Sequence, residues 1–184
     1  MKLLTRIAAV PMAALIVSAA PAPQYIPLDN YGEALVIPNG SPTRLVSFNK
    51  KQAEARFRGR FVLTGTFIFS CSIECEPPLK TWQVYGEILP DPAIARRLPH
   101  WKVRNGDMRI YIRHGDRLAR QIAKPEDLRS IRSGKIDEVR RHVAIVVDDF
   151  RAGIECDGAT YSARFIAIAK GVNGRANMAE NEGC

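Results

Sequence analysis

From Arg56 to Cys71 apolar and polar residues alternate: Phe57, Phe61, Leu63, Phe67, Phe69 and Cys71 share one parity, and Arg56, Arg58, Arg60, Thr64, Thr66 and Ser70 the other. A period of two is that of a strand with one face in the core and one in water. Gly59 and Gly65 fall on the apolar parity. A strand this long bends or carries a bulge where a glycine interrupts it, and Gly65, in its middle, is the expected place.

The other elements follow from the same periodicities. Thr81 to Leu89 reads as a second strand, with Trp82, Val84, Gly86 and Ile88 opposite Gln83, Tyr85 and Glu87, and it stops at Pro90. Asp91 as N-cap and Pro92 at the first helical position predict a short helix to Leu98, closed by Pro99. A turn at Asn105-Gly106 leads to a third strand, Met108 to Arg113. Leu118 and Ile122, four apart, predict a helix from Asp116 to Ala123, and Pro125-Glu126-Asp127 begins a further short turn towards Ile131. The apolar run Val143 to Val147 and the alternating stretch Thr160 to Lys170 supply the last two strands.

Three strands, a helical insert between strands 3 and 4, and two more strands are the order of a five-stranded OB-like barrel. The expected class is mainly β, with a two-layer α+β sheet or an unrelated β-sandwich as alternatives. The expected organisation is a cleaved signal peptide at 1–22, an extended lead-in at 23–50, one β-rich domain at 51–170 and a flexible tail at 171–184. The leader has Lys2 and Arg6 at its start, an apolar Ile7 to Ala20, and small residues around Ala19-Ala20-Pro21-Ala22. The reading is therefore of an exported protein, periplasmic or secreted, that does not span a membrane.

Export puts Cys71, Cys75, Cys156 and Cys184 in an oxidising compartment and makes them disulfide candidates. Three full pairings are open; a bond from Cys71 or Cys75 to Cys156 would join two connections on one edge of a barrel. The Cys-x3-Cys spacing has no histidine pattern beside it for zinc and one residue too many for a thioredoxin-like pair, so no metal and no cofactor is expected. The net charge of +8 falls to +6 when Lys2 and Arg6 leave with the leader, and arginine far outnumbers lysine. Such a balance suits either solubility or oxyanionic partners.

Arg113-His114-Gly115-Asp116, after an apolar strand and before a helix, resembles the Arg-His-Gly motif of the histidine phosphatases. The resemblance implies His114 as a phosphate-accepting nucleophile and Arg113 as a phosphate clamp. In that family the motif opens a much larger α/β domain and a second histidine completes the site, whereas here His142 is the sole later histidine. A strand-turn-helix corner with Gly115 at the turn explains the same residues and is preferred. Asp148, Asp149, Glu155 and Asp157 gather before the last strand, where a calcium site or a hydrolytic carboxylate pair competes with an ordinary solvated loop.

Arg109, Tyr111 and Arg113 share one face of the third strand, with Tyr85 and Gln83 as neighbours on the second. In an OB-fold that face binds oligosaccharides or oligonucleotides. Trp82 and Trp101 read as packing residues. The expectation is a binding or envelope-associated module without catalysis. Its ligand, an envelope polyanion or oligosaccharide rather than a specific nucleic acid, meets Tyr85, Arg109, Tyr111 and Arg113. The alternatives are a small hydrolase using His114 and a structural module that pairs its strand edges with a partner.

Overall fold

In the computed structural model of the protein, the described residues are 22–28, 33–71, 84–102, 107–156 and 158–169. The chain is mainly β. Its elements are β1 (Gln24–Pro27), β2 (Ala34–Ile37), β3 (Arg44–Asn49), β4 (Glu54–Arg58), β5 (Phe61–Cys71), β6 (Val84–Pro90), α1 (Pro92–Ala95), β7 (His100–Trp101), β8 (Ile110–Arg113), α2 (Gly115–Ile122), α3 (Pro125–Arg132), β9 (Glu138–Glu155) and β10 (Gly158–Ile168).

Two sheets form. The larger runs β10-β8-β6-β5-β9-β4-β3, with β10 also paired to β9; the smaller runs β1-β2-β7. The β8–β10 ladder is parallel, from Ile110↔Tyr161 to Arg113↔Arg164, and the other ladders are antiparallel. The eighteen residues of β9 make the β5 and β10 ladders possible together: Glu138 to Val147 pair with β5, and Ile145 to Glu155 with β10.

The alternation in β5 is realised as burial up to Phe67: Phe61, Leu63, Phe67 and Phe69 are buried and Val62 is exposed, but Ile68, on the other parity, is buried too. The long first strand is interrupted at Gly59-Arg60, between β4 and β5, and continues through Gly65. Gly59 has φ 140° and its missing side chain admits the Pro42 carbonyl, which a Cβ would meet at 2.7 Å. Gly65 is nevertheless where β5 changes partners: the β5–β6 ladder begins at Gly65↔Pro90, so residues 61–64 pair with β9 alone. Residues 125–132 form a full helix, because Leu128 and Ile131 give its inner side a helical spacing. In the stretch read as a lead-in, β1 and β2 pair with each other and β3 pairs with β4.

β9 reaches well beyond Val143–Val147. Its buried positions are odd up to Val147 and even from Phe150, because a bulge at Asp148-Asp149 sets one extra residue against β10 between Arg164 and Ser162. Asp149 adopts φ 47°, a left-handed conformation that Asp tolerates better than most residues. Phe150 thereby turns inward, with ring centroids 5.8 Å from Phe57, 6.4 Å from Phe61 and 6.2 Å from Tyr161. α2 packs against β6 and β10, burying Leu118 and Ala119, and α3 packs against β5 and β9. The small sheet adds Leu35 and Trp101 to the same core, where the Trp101 amide donates to the Tyr161 hydroxyl at 3.2 Å.

Among the described residues no helix is long and apolar enough to cross a membrane. The leader up to Pro21, Trp82, the Asn105-Gly106 turn, Asp157, Cys75, Cys184 and the tail lie outside the described residues.

Candidate functional site

The registers of five ladders align one row of residues across six strands: Glu87 (β6), Tyr111 (β8), Ser162 (β10), Arg151 (β9), Arg56 (β4) and Ser47 (β3). None of the six is buried, whereas the next residues along the strands, Ile88, Ile110, Ile112, Tyr161, Ala163, Ala152, Ala55 and Phe57, form core. The row thus runs along the outer surface, and five strand-to-strand steps make it about 24 Å long.

One end of the row is an open groove of 710 Å³ lined by Glu54, Glu87, Arg109, Tyr111, Arg151 and Ser162, with Thr160 and Glu155 beside them. Arg109 donates to Glu87 at 2.6 Å, and Arg151 lies 3.8 Å from Glu54. Tyr111 is 39% exposed, an aromatic ring presented to solvent between charged neighbours. Three carboxylates (Glu54, Glu87, Glu155) face two guanidiniums (Arg109, Arg151), so the groove carries no surplus of positive charge. Gly153 keeps its floor low, since a Cβ there would meet the Thr160 hydroxyl at 2.9 Å.

The bulge carboxylate divides this groove from a second. Asp149 accepts from Arg56 Nε at 2.7 Å, from Arg113 Nη1 at 2.8 Å and from Arg151 Nη2 at 3.3 Å, and its backbone carbonyl accepts a further bond from Arg113. Burial alone would raise its pKa, but the hydrogen bonds from Arg56 and Arg113 and the charges of Arg113 and Arg151 outweigh burial and hold it at about 2. Asp148, next to it, takes two bonds from Arg164, at 2.8 and 2.9 Å. The second groove, 720 Å³, is lined by these two carboxylates together with Arg56, Arg58, Arg60, Arg164 and Val46.

Of the residues singled out in the sequence, Arg109 and Tyr111 come together in the first groove. Arg113 has the same strand parity but is drawn to Asp149 and does not line it. Tyr85 lies in β6 opposite Ser70. His114, in a left-handed conformation at φ 65°, lines a separate groove of 480 Å³ with Asp116, Arg117, Arg120 and Gln121. Arg113 is absent from that lining, and Arg120 is held by Asp116 at 2.6 Å, so the clamp implied by the phosphatase resemblance is not assembled beside His114.

Cys156 is exposed and its thiol makes no disulfide among the described residues; Cys71 ends β5 opposite Val84. Among the described residues no three His, Cys, Asp or Glu side chains converge as metal ligands. Arg151, Glu54 and Ser162 are site residues that strand-by-strand reading misses, because only the sheet register brings them beside Tyr111. The chain matches no protein-family model, no curated protein and no solved structure.

Proposed function

We propose that the chain is an exported OB-type barrel that binds an oligosaccharide, without turnover, in the groove around Tyr111. The barrel reading is supported by the ladder order β5–β6–β8–β10–β9–β5, by the parallel β8–β10 pair, and by α2 and α3 between β8 and β9. In that reading β6 and β8 are the second and third strands, and their face together with the fourth-to-fifth connection is where OB-folds take ligands. Glu87, Arg109, Tyr111 and Glu155 belong to that region.

The observation that carries the ligand class is an exposed tyrosine ring flanked by paired carboxylate and guanidinium groups. An apolar ring face covers the C–H side of a sugar, and the charged groups exchange hydrogen bonds with its hydroxyls. With three carboxylates against two guanidiniums the groove disfavours a polyanion. Calorimetric titration with a panel of neutral envelope oligosaccharides is expected to find a binder. Tyr111→Ala is expected to weaken it about tenfold, as loss of an aromatic anchor does. Binding unaffected by this change, or release of hydrolysis products from the panel, would count against the proposal.

Export is supported by the charged start, apolar centre and small-residue end of the leader. Mass spectrometry of the protein from the culture's periplasmic and secreted fractions, digested without reduction, is expected to find a mature N-terminus close to Ala22 and disulfide-linked peptides among Cys71, Cys75, Cys156 and Cys184. An intact leader on a fully reduced product would refute this.

A further inference from the structure

The second groove differs from the first in its charge and in how its charges are satisfied. Four guanidiniums (Arg56, Arg58, Arg60, Arg164) face two carboxylates (Asp148, Asp149). Both carboxylates are already occupied: Asp148 by two bonds from Arg164, Asp149 by Arg56 together with Arg113 and Arg151. Arg58 and Arg60 make no hydrogen bond or salt bridge to a carboxylate among the described residues, and Arg60 is near enough to Asp148 only for its charge to be felt there. Some exposed arginines are paired, Arg109 with Glu87, Arg120 with Asp116 and Arg140 with Glu138, and others such as Arg96 and Arg129 are not, among the described residues; what distinguishes Arg58 and Arg60 is that they line one groove together.

A third guanidinium stands beside Arg58 in the β3–β4 hairpin. Arg44 stands directly opposite Arg58 in the β3–β4 register, and both are exposed. Like charges at directly opposed positions destabilise a strand pair unless a counter-ion lies between or beside them. Gly59, between Arg58 and Arg60, holds φ 140° and sits against the Pro42–Thr43 backbone, which fixes the β4-to-β5 connection that both arginines flank. Two guanidinium forks on a fixed backbone, facing an open groove, suit the planar, bidentate recognition of an oxyanion.

We infer that this groove is a phosphate-binding site, separate from the Tyr111 groove, in which Arg58 and Arg60 grip the anion and Arg44 adds its charge from the neighbouring strand. The phosphate belongs either to a free inorganic chain or to a lipid headgroup, and one chemistry serves both. Arg56 and Arg164 line the same groove but are bonded to Asp149 and Asp148, so Arg58 and Arg60 are the guanidiniums left to grip the anion.

Calorimetric titration of the full chain with tripolyphosphate, and co-sedimentation with phosphatidylglycerol vesicles against phosphatidylcholine vesicles, distinguish the two sources. Binding to tripolyphosphate is expected if the group is free, and binding to the anionic vesicles alone if it is a headgroup. Absence of both would overturn the inference. Arg58→Ala/Arg60→Ala is expected to weaken the interaction at least tenfold.

Arg96→Ala/Arg129→Ala removes the same two charges elsewhere on the exposed surface and is expected to leave binding within twofold. An equal loss in both double variants would reduce the effect to net charge and refute the site. Tyr111→Ala is expected to be silent here; loss of phosphate binding in that variant would merge the two grooves and refute their separation. If the double alanine variant fails to fold, arginine Nε–Hε resonances of the unmodified protein give the same reading. Tripolyphosphate or the vesicles should shift Arg58 and Arg60, and equal shifts at Arg96 and Arg129 would overturn the assignment.

Discussion

Gly65→Ala is expected to lower the stability of the protein by about 3 kcal/mol or more, a fall of about 6–12 °C in melting temperature for a chain of this size. A Cβ at residue 65 would lie 2.2 Å from the Leu89 carbonyl oxygen and 2.7 Å from the Pro90 Cα, both backbone atoms, and φ is 158°. No rotamer change relieves a clash with backbone. Either the end of β6 lifts away, losing the Gly65↔Pro90 pairing and the bond from the Asp91 amide to the Thr64 carbonyl at 2.9 Å, or β5 distorts between its two ladders. Gly40→Ala is the matched comparison, with φ 66° and no atom within 4 Å of the added Cβ. It carries the left-handed penalty alone, about 1 kcal/mol. Urea or thermal unfolding of the two variants separates strain from collision, and a Gly65→Ala protein no less stable than Gly40→Ala would mean that β6 does not cross over Gly65 in solution.

The glycine that matters most for β5 was visible in the sequence because it interrupts a pattern of period two; what it accommodates was not, since Leu89 and Pro90 come from the next strand. The same division runs through the fold. Alternation reveals a strand when one face is buried along its whole length, as in Phe61 to Phe69. It fails in β9, where the bulge at Asp149 switches the buried parity and where Glu138 to His142 is mostly charged. The site was partly legible for a related reason. Arg109 and Tyr111 are two apart on one strand, so their common face follows from local geometry. Arg151, Ser162 and Glu54 join them only through register between strands distant in sequence, which no local pattern encodes. Arg113 shows the converse: its parity was right, yet a carboxylate placed by the β9 bulge outcompetes the groove for its guanidinium.

That carboxylate gives the second large effect. Asp149→Asn keeps a residue that tolerates φ 47° and removes the charge on which Arg56, Arg113 and Arg151 converge. Arg113 and Arg151 are only 25% and 37% exposed, and the Nε of each is buried with no hydrogen-bond partner among the described residues, so neither recovers full hydration when the anion is gone. The expected cost at neutral pH is about 2–3 kcal/mol, below that of a fully buried pair because water reaches part of the cluster. Asp149→Ala adds about 1 kcal/mol for its left-handed backbone. The sign of the pH dependence follows from the depressed pKa. The folded carboxyl titrates at about 2 against 3.8 for the ordinary group, so its contribution is fully present above 3.8 and disappears as the pH falls through 2. Linkage sets that contribution at about 2 kcal/mol. The stability gap between the wild-type protein and Asp149→Asn, measured by urea unfolding, is therefore expected to be constant from pH 7 to about 5 and to close towards pH 2. Comparison with the Asn variant cancels the acid sensitivity that Asp91, whose pKa is also lowered and which does not sense Asp149, gives to both proteins. A gap that stays the same down to pH 2 would show that residue 149 stabilises the bulge through its backbone preference and side-chain shape, and that the three arginines draw nothing from its charge.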